Sequence, residues 1–224
     1  VAQAASFTVA EDAAVVNGAV TATDVDAGST LSFALNGAAP AGLTFNSNGS
    51  YSFNPANAAY QSLGVGQQTV ITVPYTVTDN AGATSTANLV ITVTGTNDAP
   101  IAQAASFTVA EDAAVVNGSV IATDVDAGAT LSYALNGAAP AGLTFNSNGT
   151  YSFNPANAAY QSLGVGQQTI ITVPYTVTDN AGATSTANLV ITVTGTNDAP
   201  VAQAASFTVA EDAAVVNGSV IATD

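Results

Sequence analysis

The 224-residue sequence contains no lysine, arginine or histidine, and no cysteine, methionine or tryptophan. Each absence excludes something. Without Cys there is neither a disulfide framework nor a thiolate metal site. Without His or Cys, zinc and copper lose their usual ligands. Without Lys or Arg, the phosphate contacts on which nucleic-acid binding rests have no donor, so nucleic acid is not expected as a partner. No side chain can serve as imidazole base, activated thiolate or cationic oxyanion partner, so the chain does not read as an enzyme. No apolar run approaches the ~20 residues of a membrane span, and no signal peptide is visible, which says nothing about a longer parent chain. The chain opens and closes inside a repeat pattern, so it reads as a segment of a longer array.

What is present is acid of one sign. Fifteen Asp and Glu give a formal charge of −15. Six acids fall in the first 100 residues: Glu11, Asp12, Asp24, Asp26, Asp79 and Asp98. The same six recur 100 positions later, and Glu211, Asp212 and Asp224 complete the set. No basic side chain exists to pair with them. Each must be solvated, accept hydrogen bonds or meet an outside cation. Disorder does not follow, because charged residues make up only 7% of the chain and hydrophobic ones 48%.

Internal repetition dominates the organisation. Residues 1–100 and 101–200 differ at seven positions: Val1/Ile101, Ala19/Ser119, Thr21/Ile121, Ser29/Ala129, Phe33/Tyr133, Ser50/Thr150 and Val70/Ile170. A period of that length suits one small domain per repeat. The expected organisation is therefore repeat 1 at 1–100, repeat 2 at 101–200 and an incomplete third repeat, its first two strands only, at 201–224. Within a repeat the alternation has period two. Phe7 and Val9 share a face, as do Leu31, Phe33 and Leu35. Leu43 and Phe45 lead through an Asn-Gly turn at Asn46–Gly49 to Tyr51 and Phe53. Ile71, Val73, Tyr75 and Val77 precede a turn at Asp79–Gly82, and Ala87, Leu89, Ile91 and Val93 follow it. A strand from Val16 to Thr23 brings the count to seven, with one helical turn expected at Ala56–Leu63. The fold class is all-β, a tandem array of immunoglobulin-like seven-strand β-sandwiches. Pro100 and Pro200 stiffen the links between copies.

Strand direction then places the acids. The first and seventh strands end at one end of a domain, delivering Glu11–Asp12 and Asn97–Asp98. The second and sixth end at the other, delivering Asp24, Asp26 and Asp79. Glu11, Asp12, Asn97 and Asp98 should therefore face Asp124, Asp126 and Asp179 of the next repeat. Two carboxylates ~5 Å apart repel by roughly 3 kcal/mol at an effective dielectric of ~20. A hard divalent cation reverses that sign. Ca²⁺ tolerates the irregular all-oxygen coordination of such a junction better than Mg²⁺ does. Capping of turns by Asp and Asn is the plain alternative for any one acid, such as Asp79. The stretch "DVDAG" resembles the opening of an EF-hand loop but lacks its closing Glu.

The strings "TNDAPVAQ", "ATDVDAGSTLSFALNG", "LTFNSNGSYSFNP" and "VPYTVTDNAGATSTANLVITVTGTNDAP" resemble VCBS-type and cadherin-like tandem repeats of bacterial RTX-type surface adhesins, over the whole chain. The resemblance implies extracellular extender domains at a bacterial cell surface, with calcium held between them. Carried over by position, it implies ligands at Glu11, Asn97, Asp98, Asp124, Asp126 and Asp179. A second junction would use Glu111, Asn197, Asp198 and Asp224, with Asp112 beside Glu111, and Asp24, Asp26 and Asp79 form the matching set of the first repeat. Cadherins carry an acidic Asp-Arg-Glu in mid-domain, whereas "YQSLGVGQQT" here has no acid, so one or two ions per junction are expected.

Two functions follow. One is a calcium-stiffened extracellular stalk of an adhesin or biofilm matrix protein, its partners being calcium and the neighbouring repeats. The other is a subunit of an extracellular fibre or surface layer, with other copies as partners, completed by strand exchange through the third copy. A glycosidase is opposed by Glu11 and Asp12 pointing to opposite faces of a strand. Sugar binding through Tyr51, Tyr60 or Tyr75 competes with their fit to core positions.

Overall fold

The computed structural model describes residues 1–223. Among them there is no helix; the chain is all-β, built as tandem immunoglobulin-like sandwiches. It divides into two compact units. The first comprises Val1–Gln103, Ile121–Ala134 and Thr176–Ala187, and so contains the first repeat, the linker and one end of the second repeat. The second comprises Ala104–Val120, Leu135–Tyr175 and the residues from Asn188 on.

Seven strands form the first repeat: β1 (Ala5–Ala10), β2 (Val16–Ala19), β3 (Leu31–Leu35), β4 (Leu43–Phe45), β5 (Ser50–Phe53), β6 (Gln68–Asp79) and β7 (Thr84–Thr94). One sheet has the order β1-β7-β6-β3 and the other β2-β5-β4. β1 runs parallel to β7, Ala10 opposite Thr94, so both strands leave at the same end. The alternating positions read from the sequence point inward. Phe53, Tyr75, Leu89, Ile91 and Val93 are fully buried. Phe7 stacks on Tyr51 at 5.8 Å and meets Phe53 edge-on at 6.1 Å. Such aromatic pairs add about 1 kcal/mol each beyond their area. The Tyr60 hydroxyl donates to Ala41 O at 2.7 Å and that of Tyr75 to Gln3 O. Tyr60 and Tyr75 are thus core residues with satisfied hydroxyls, not a sugar-stacking face.

Two local choices follow from sequence. Gly49, at the tip of the β4–β5 hairpin, has φ 84°, which favours glycine. Pro74 lies inside β6, yet β3 ends opposite Tyr75, and Pro74 O accepts the Asn36 amide at 2.9 Å. Its backbone edge therefore points where the ladder has stopped and no N–H is needed.

Three expectations differ. The segment 56–63 forms successive turns, closed by Tyr60 N–H to Asn57 O (2.9 Å) and Leu63 N–H to Tyr60 O (3.1 Å), rather than a helical turn. The strand expected from Val16 to Thr23 stops at Ala19, and Ala22 bridges to Ala2 instead. In the second repeat that change of partner is larger: β8 (Ile101–Ala102) and, further on, Ala122–Thr123 pair antiparallel.

In the second unit, β9 (Ala105–Ala110) runs parallel to the last strand from Leu189 on. β10 (Val116–Ser119) is followed in chain order by β11, the Ala122–Thr123 strand, and by β12 (Ser132–Leu135), β13 (Leu143–Phe145) and β14 (Thr150–Phe153). β15 is Gln168–Thr178, β16 Thr184–Thr194, β17 Val201–Ala202 and β18 Ala222–Thr223. β10, β14 and β13 make the three-stranded sheet. Phe153, Tyr175, Leu189 and Ile191 fill the core. The third copy was expected to show two full strands. Only β17 and β18 form, and Phe207 is 77% exposed. β1 and β9 each rest on the last strand of their own repeat.

Truncating Leu89 to Ala should cost about 3 kcal/mol in chemical denaturation. Thr86→Ala, on the outer face of the same strand, should cost less than about 0.5 kcal/mol.

Candidate metal centre

The site lies within the first unit, where the linker 95–100 meets two turns of the second repeat. Three pieces of backbone build it. The β1–β7 pairing continues as Glu11 N–H donates to Thr94 O at 3.0 Å, which sets Glu11 beside the linker. The β8–β11 pairing, Thr123 opposite Ile101, sets Asp126, three residues past the pair, beside Asp98, three residues before it. The turn after β15 closes through Asp179 N–H to Ala183 O at 3.1 Å, and Ala102 N–H donates to Ser185 Oγ at 3.2 Å, holding that hairpin to the linker.

Side chains then converge. Glu11 is fully buried. Its Oε1 accepts Thr96 N–H at 2.9 Å. Asp126 Oδ2 accepts Asp98 N–H at 3.0 Å, and Asp124 Oδ1 accepts Asp126 N–H at 3.0 Å. Carboxylate oxygens of Glu11, Asp98 and Asp126 lie within 4.8 Å of one another. Glu11 Oε2, Asp98 Oδ2, Asp124 Oδ2 and Asp126 Oδ1 are shielded from solvent with no hydrogen-bond partner. A buried polar atom left unpaired costs about 1–3 kcal/mol, more when charged. Burial first, then Asp12, Asp126 and Asp124, push the Asp98 carboxyl above the usual range. Burial likewise pushes Glu11 up, against the opposing Thr96 amide.

Not every predicted ligand points inward. Asp12 is exposed, and its Oδ2 accepts the Thr96 hydroxyl at 2.6 Å. Asp179 is buried but engaged: Oδ1 accepts the Ala181 and Ala183 amides at 2.8 and 2.9 Å, and Oδ2 accepts Asn97 Nδ2 at 2.8 Å. Those bonds, Asn97 first, hold its carboxyl below the usual range. Asn97 also donates to Asp98 O at 2.9 Å.

The equivalents elsewhere show what is local and what is packing. Asp24, Asp26 and Asp79 line an open cleft with Val1; Asp24 makes the same turn to Asp26 N–H at 3.0 Å, but both are exposed. In the second unit Glu111 is again fully buried, with Oε1 on Thr196 N–H at 2.8 Å and Oε2 unpartnered. Asp112 accepts the Thr196 hydroxyl at 2.5 Å, and Asn197 donates to Asp198 O at 2.9 Å. Asp224, the acid expected opposite them, lies outside the described residues.

Chemically the cluster is a set of hard carboxylate oxygens with no nitrogen or sulfur donor. That set fits Ca²⁺, which takes six to eight oxygens in irregular geometry. Glu11, Asp98, Asp124 and Asp126 are the residues that would hold it. Sequence reasoning missed the Thr96 amide on Glu11, because backbone donors leave no mark in residue type. The glycine after β7, Gly95, was the available signal: a Cβ there would lie 2.3 Å from Leu63 O.

Tandem sandwiches joined by a short acidic linker define the class. The sequence profile of the bacterial cadherin-like domain matches residues 1–95 and again residues 97–195, and the chain belongs to that family. No curated protein matches it. Human CDH23 EC21-23 is similar in structure, with TM-score 0.62 at 20% identity over 98% of this chain and 77% of that one. Drosophila N-cadherin EC1-4 gives TM-score 0.54 at 18% identity, covering 87% and 48%. Mouse Cadherin-23 EC22-24 gives 0.52 at 20%, covering 86% and 63%, so this chain spans less than two thirds of the mouse and fly chains. At these identities the likeness is one of fold.

The raised Glu11 and Asp98 carboxyls fix a sign. A group whose folded pKa exceeds its unfolded value stabilises below the unfolded pKa, and that stability is lost as pH rises through the folded pKa. In chelator, the melting temperature of the first unit should therefore fall as pH is raised from about 4 to about 7. Asp179, held low, contributes the opposite sign only at still lower pH. Calorimetry across this range, with and without a divalent cation, checks it.

Proposed function

We propose that this chain is part of a calcium-stiffened extracellular stalk of a bacterial adhesin or biofilm matrix protein, its repeats of the VCBS type found in RTX-type adhesins. The observation that carries the reading is the set of four shielded, unpartnered carboxylate oxygens at the linker, in a sequence with no basic side chain. A cation would convert mutual repulsion into attraction and fix the linker by mass action. The bacterial cadherin-like family and its tandem arrangement support the structural role. Nothing in the cluster resembles an acid–base pair poised on a substrate: Glu11 is enclosed and Asp12 faces outward.

One sequence difference bears on affinity. Asp24 Oδ2 accepts the Ser29 hydroxyl at 2.9 Å, whereas position 129 is Ala and Asp124 Oδ2 has no partner. The second copy thus lacks a competing donor on a candidate ligand.

A second reading, a fibre or surface-layer subunit completed by strand exchange, is favoured by the exposed apolar side chains of Phe207, Val215 and Val220 in the third copy. Electron microscopy separates the two: ordered polymers favour the fibre, single beaded chains the stalk.

Calcium at about a hundredfold its dissociation constant should add about 2.7 kcal/mol to stability, raising Tm by roughly 5–10 °C, and chelator should reverse this. Asp126→Asn should weaken calcium at this junction by at least about tenfold in calorimetric titration. Ala129→Ser, restoring the donor, should weaken it about fivefold. Identical melts and identical small-angle scattering in calcium and in chelator would end the calcium reading.

A further inference from the structure

The loop Gln61–Gln67 carries no charge, yet it touches both halves of the acidic cluster. It is held from its own side. Gln67 N–H donates to Gly64 O at 2.9 Å, Gly64 N–H donates to the Gln67 side-chain oxygen at 3.2 Å, and Gly95 N–H donates to Gln67 O at 2.8 Å. A Cβ at Gly95 would lie 2.2 Å from Gly64 O, so only glycine lets the chain leaving β7 pass beneath the loop. Thr96, the residue after Gly95, donates its amide to Glu11 Oε1 at 2.9 Å.

Its outer side meets the second repeat. Ser62 O accepts Ala127 N–H at 3.0 Å, and Gln67 Nε2 donates to Ala127 O at 3.4 Å. A Cβ at Gly64 would lie 3.1 Å from Ala127 O and 3.9 Å from Asp126 Cβ. Ala127 directly follows Asp126. The loop is therefore bonded on one side to Gly95, next to the Thr96 amide that seats Glu11, and on the other to Ala127, next to Asp126.

The second repeat supplies a control within the same molecule. Its loop, Gln161–Gln167, makes the same internal bonds, Gly164 N–H to the Gln167 side-chain oxygen at 3.0 Å and Gln167 N–H to Gly164 O at 2.9 Å. A Cβ at Gly164 would meet only the Gln167 side chain, from 3.5 Å, and Gly164 is exposed where Gly64 is buried. The loop's shape is thus intrinsic to its sequence, and its packing on a following repeat is an added property.

We infer that Gln61–Gln67 is an inter-repeat docking surface whose partner is the Asp126–Ala129 turn of the next repeat, joined through one main-chain hydrogen bond and one from the Gln67 side chain, neither of which requires a cation. It positions Glu11 and Asp126 relative to each other before any ion arrives. Neutral hydrogen bonds hold the two acidic segments together at a distance where ionised carboxylates repel. The effect on calcium rests on the function proposed above; the docking does not.

The test uses the full chain with Gly64→Val and Gly164→Val, read by amide exchange in chelator and by calcium titration. Gly64 is not among the positive-φ glycines, so a side chain is compatible with its backbone, and the same change at 164 reports any cost local to the loop. In chelator the Ala127 amide should be protected in the parent chain and in Gly164→Val. In Gly64→Val its exchange should quicken at least about tenfold, with calcium affinity reduced by a similar factor. An Ala127 amide unprotected in the parent chain, or protection unchanged by Gly64→Val, overturns the docking surface. Protection that responds as described in a chain that binds no calcium sustains the docking surface and removes the calcium reading alone.

Discussion

Burial of carboxylates of one sign, in a chain with no cationic side chain to meet them, is the constraint on which the rest depends. Glu11 is fully enclosed and Asp126 nearly so, and both keep an oxygen with no hydrogen-bond partner. In an ordinary protein an arginine or lysine would stand there. Here the countercharge must come from solution as a proton or a metal ion, because the sequence does not contain it. The same constraint clears the sheet faces: the acids sit in the turns and linkers at the ends, with Asp79 at the last position of β6.

Two levels of structure make the cluster. The Asp-x-Asp turn forms in both copies, with the same 3.0 Å bond from the third residue's amide to the first carboxylate. That geometry is local and needs no neighbour. Glu11 and Glu111 are likewise seated by a threonine amide in each repeat. Burial is the second level. It arises for Asp126 from the preceding linker and the 61–67 loop, which bond to Asp126 and Ala127, and is absent for Asp26, whose turn is otherwise the same. Preformed carboxylate geometry lowers the ordering entropy that an incoming ion would face.

Much of this was legible in the residues. Period-two alternation located all seven strands of the first repeat and nearly all of its core, from Phe7 to Val93. Strand direction alone brought Glu11, Asn97 and Asp98 to the end that meets Asp124, Asp126 and Asp179. What was not legible depended on partners distant in sequence or on backbone. The break after Ala19 comes from a change of pairing partner, which hydrophobic pattern does not encode. Asp179 reads as a ligand by position, but the Asn97 amide occupies its second oxygen. The loop 61–67 reads as inert because it has no acid, whereas its contribution is made by the Gln67 and Ser62 carbonyls.

The few differences between the copies add a last step. Of the seven, Val1/Ile101, Thr21/Ile121 and Ser29/Ala129 lie at the end of the repeat that, in the second copy, meets the linker. Thr21 donates to the Gln3 side chain at 3.0 Å and Ser29 to Asp24 at 2.9 Å. Ile121 and Ala129 can do neither. Two hydroxyls are thus removed from the end that carries Asp124 and Asp126, and one of them would have bonded to a carboxylate oxygen of the cluster. Fewer competing dipoles leave the acids' field less compensated by the protein itself. The divergence therefore moves the junction further toward dependence on an external positive charge, while the turns that aim the carboxylates stay the same.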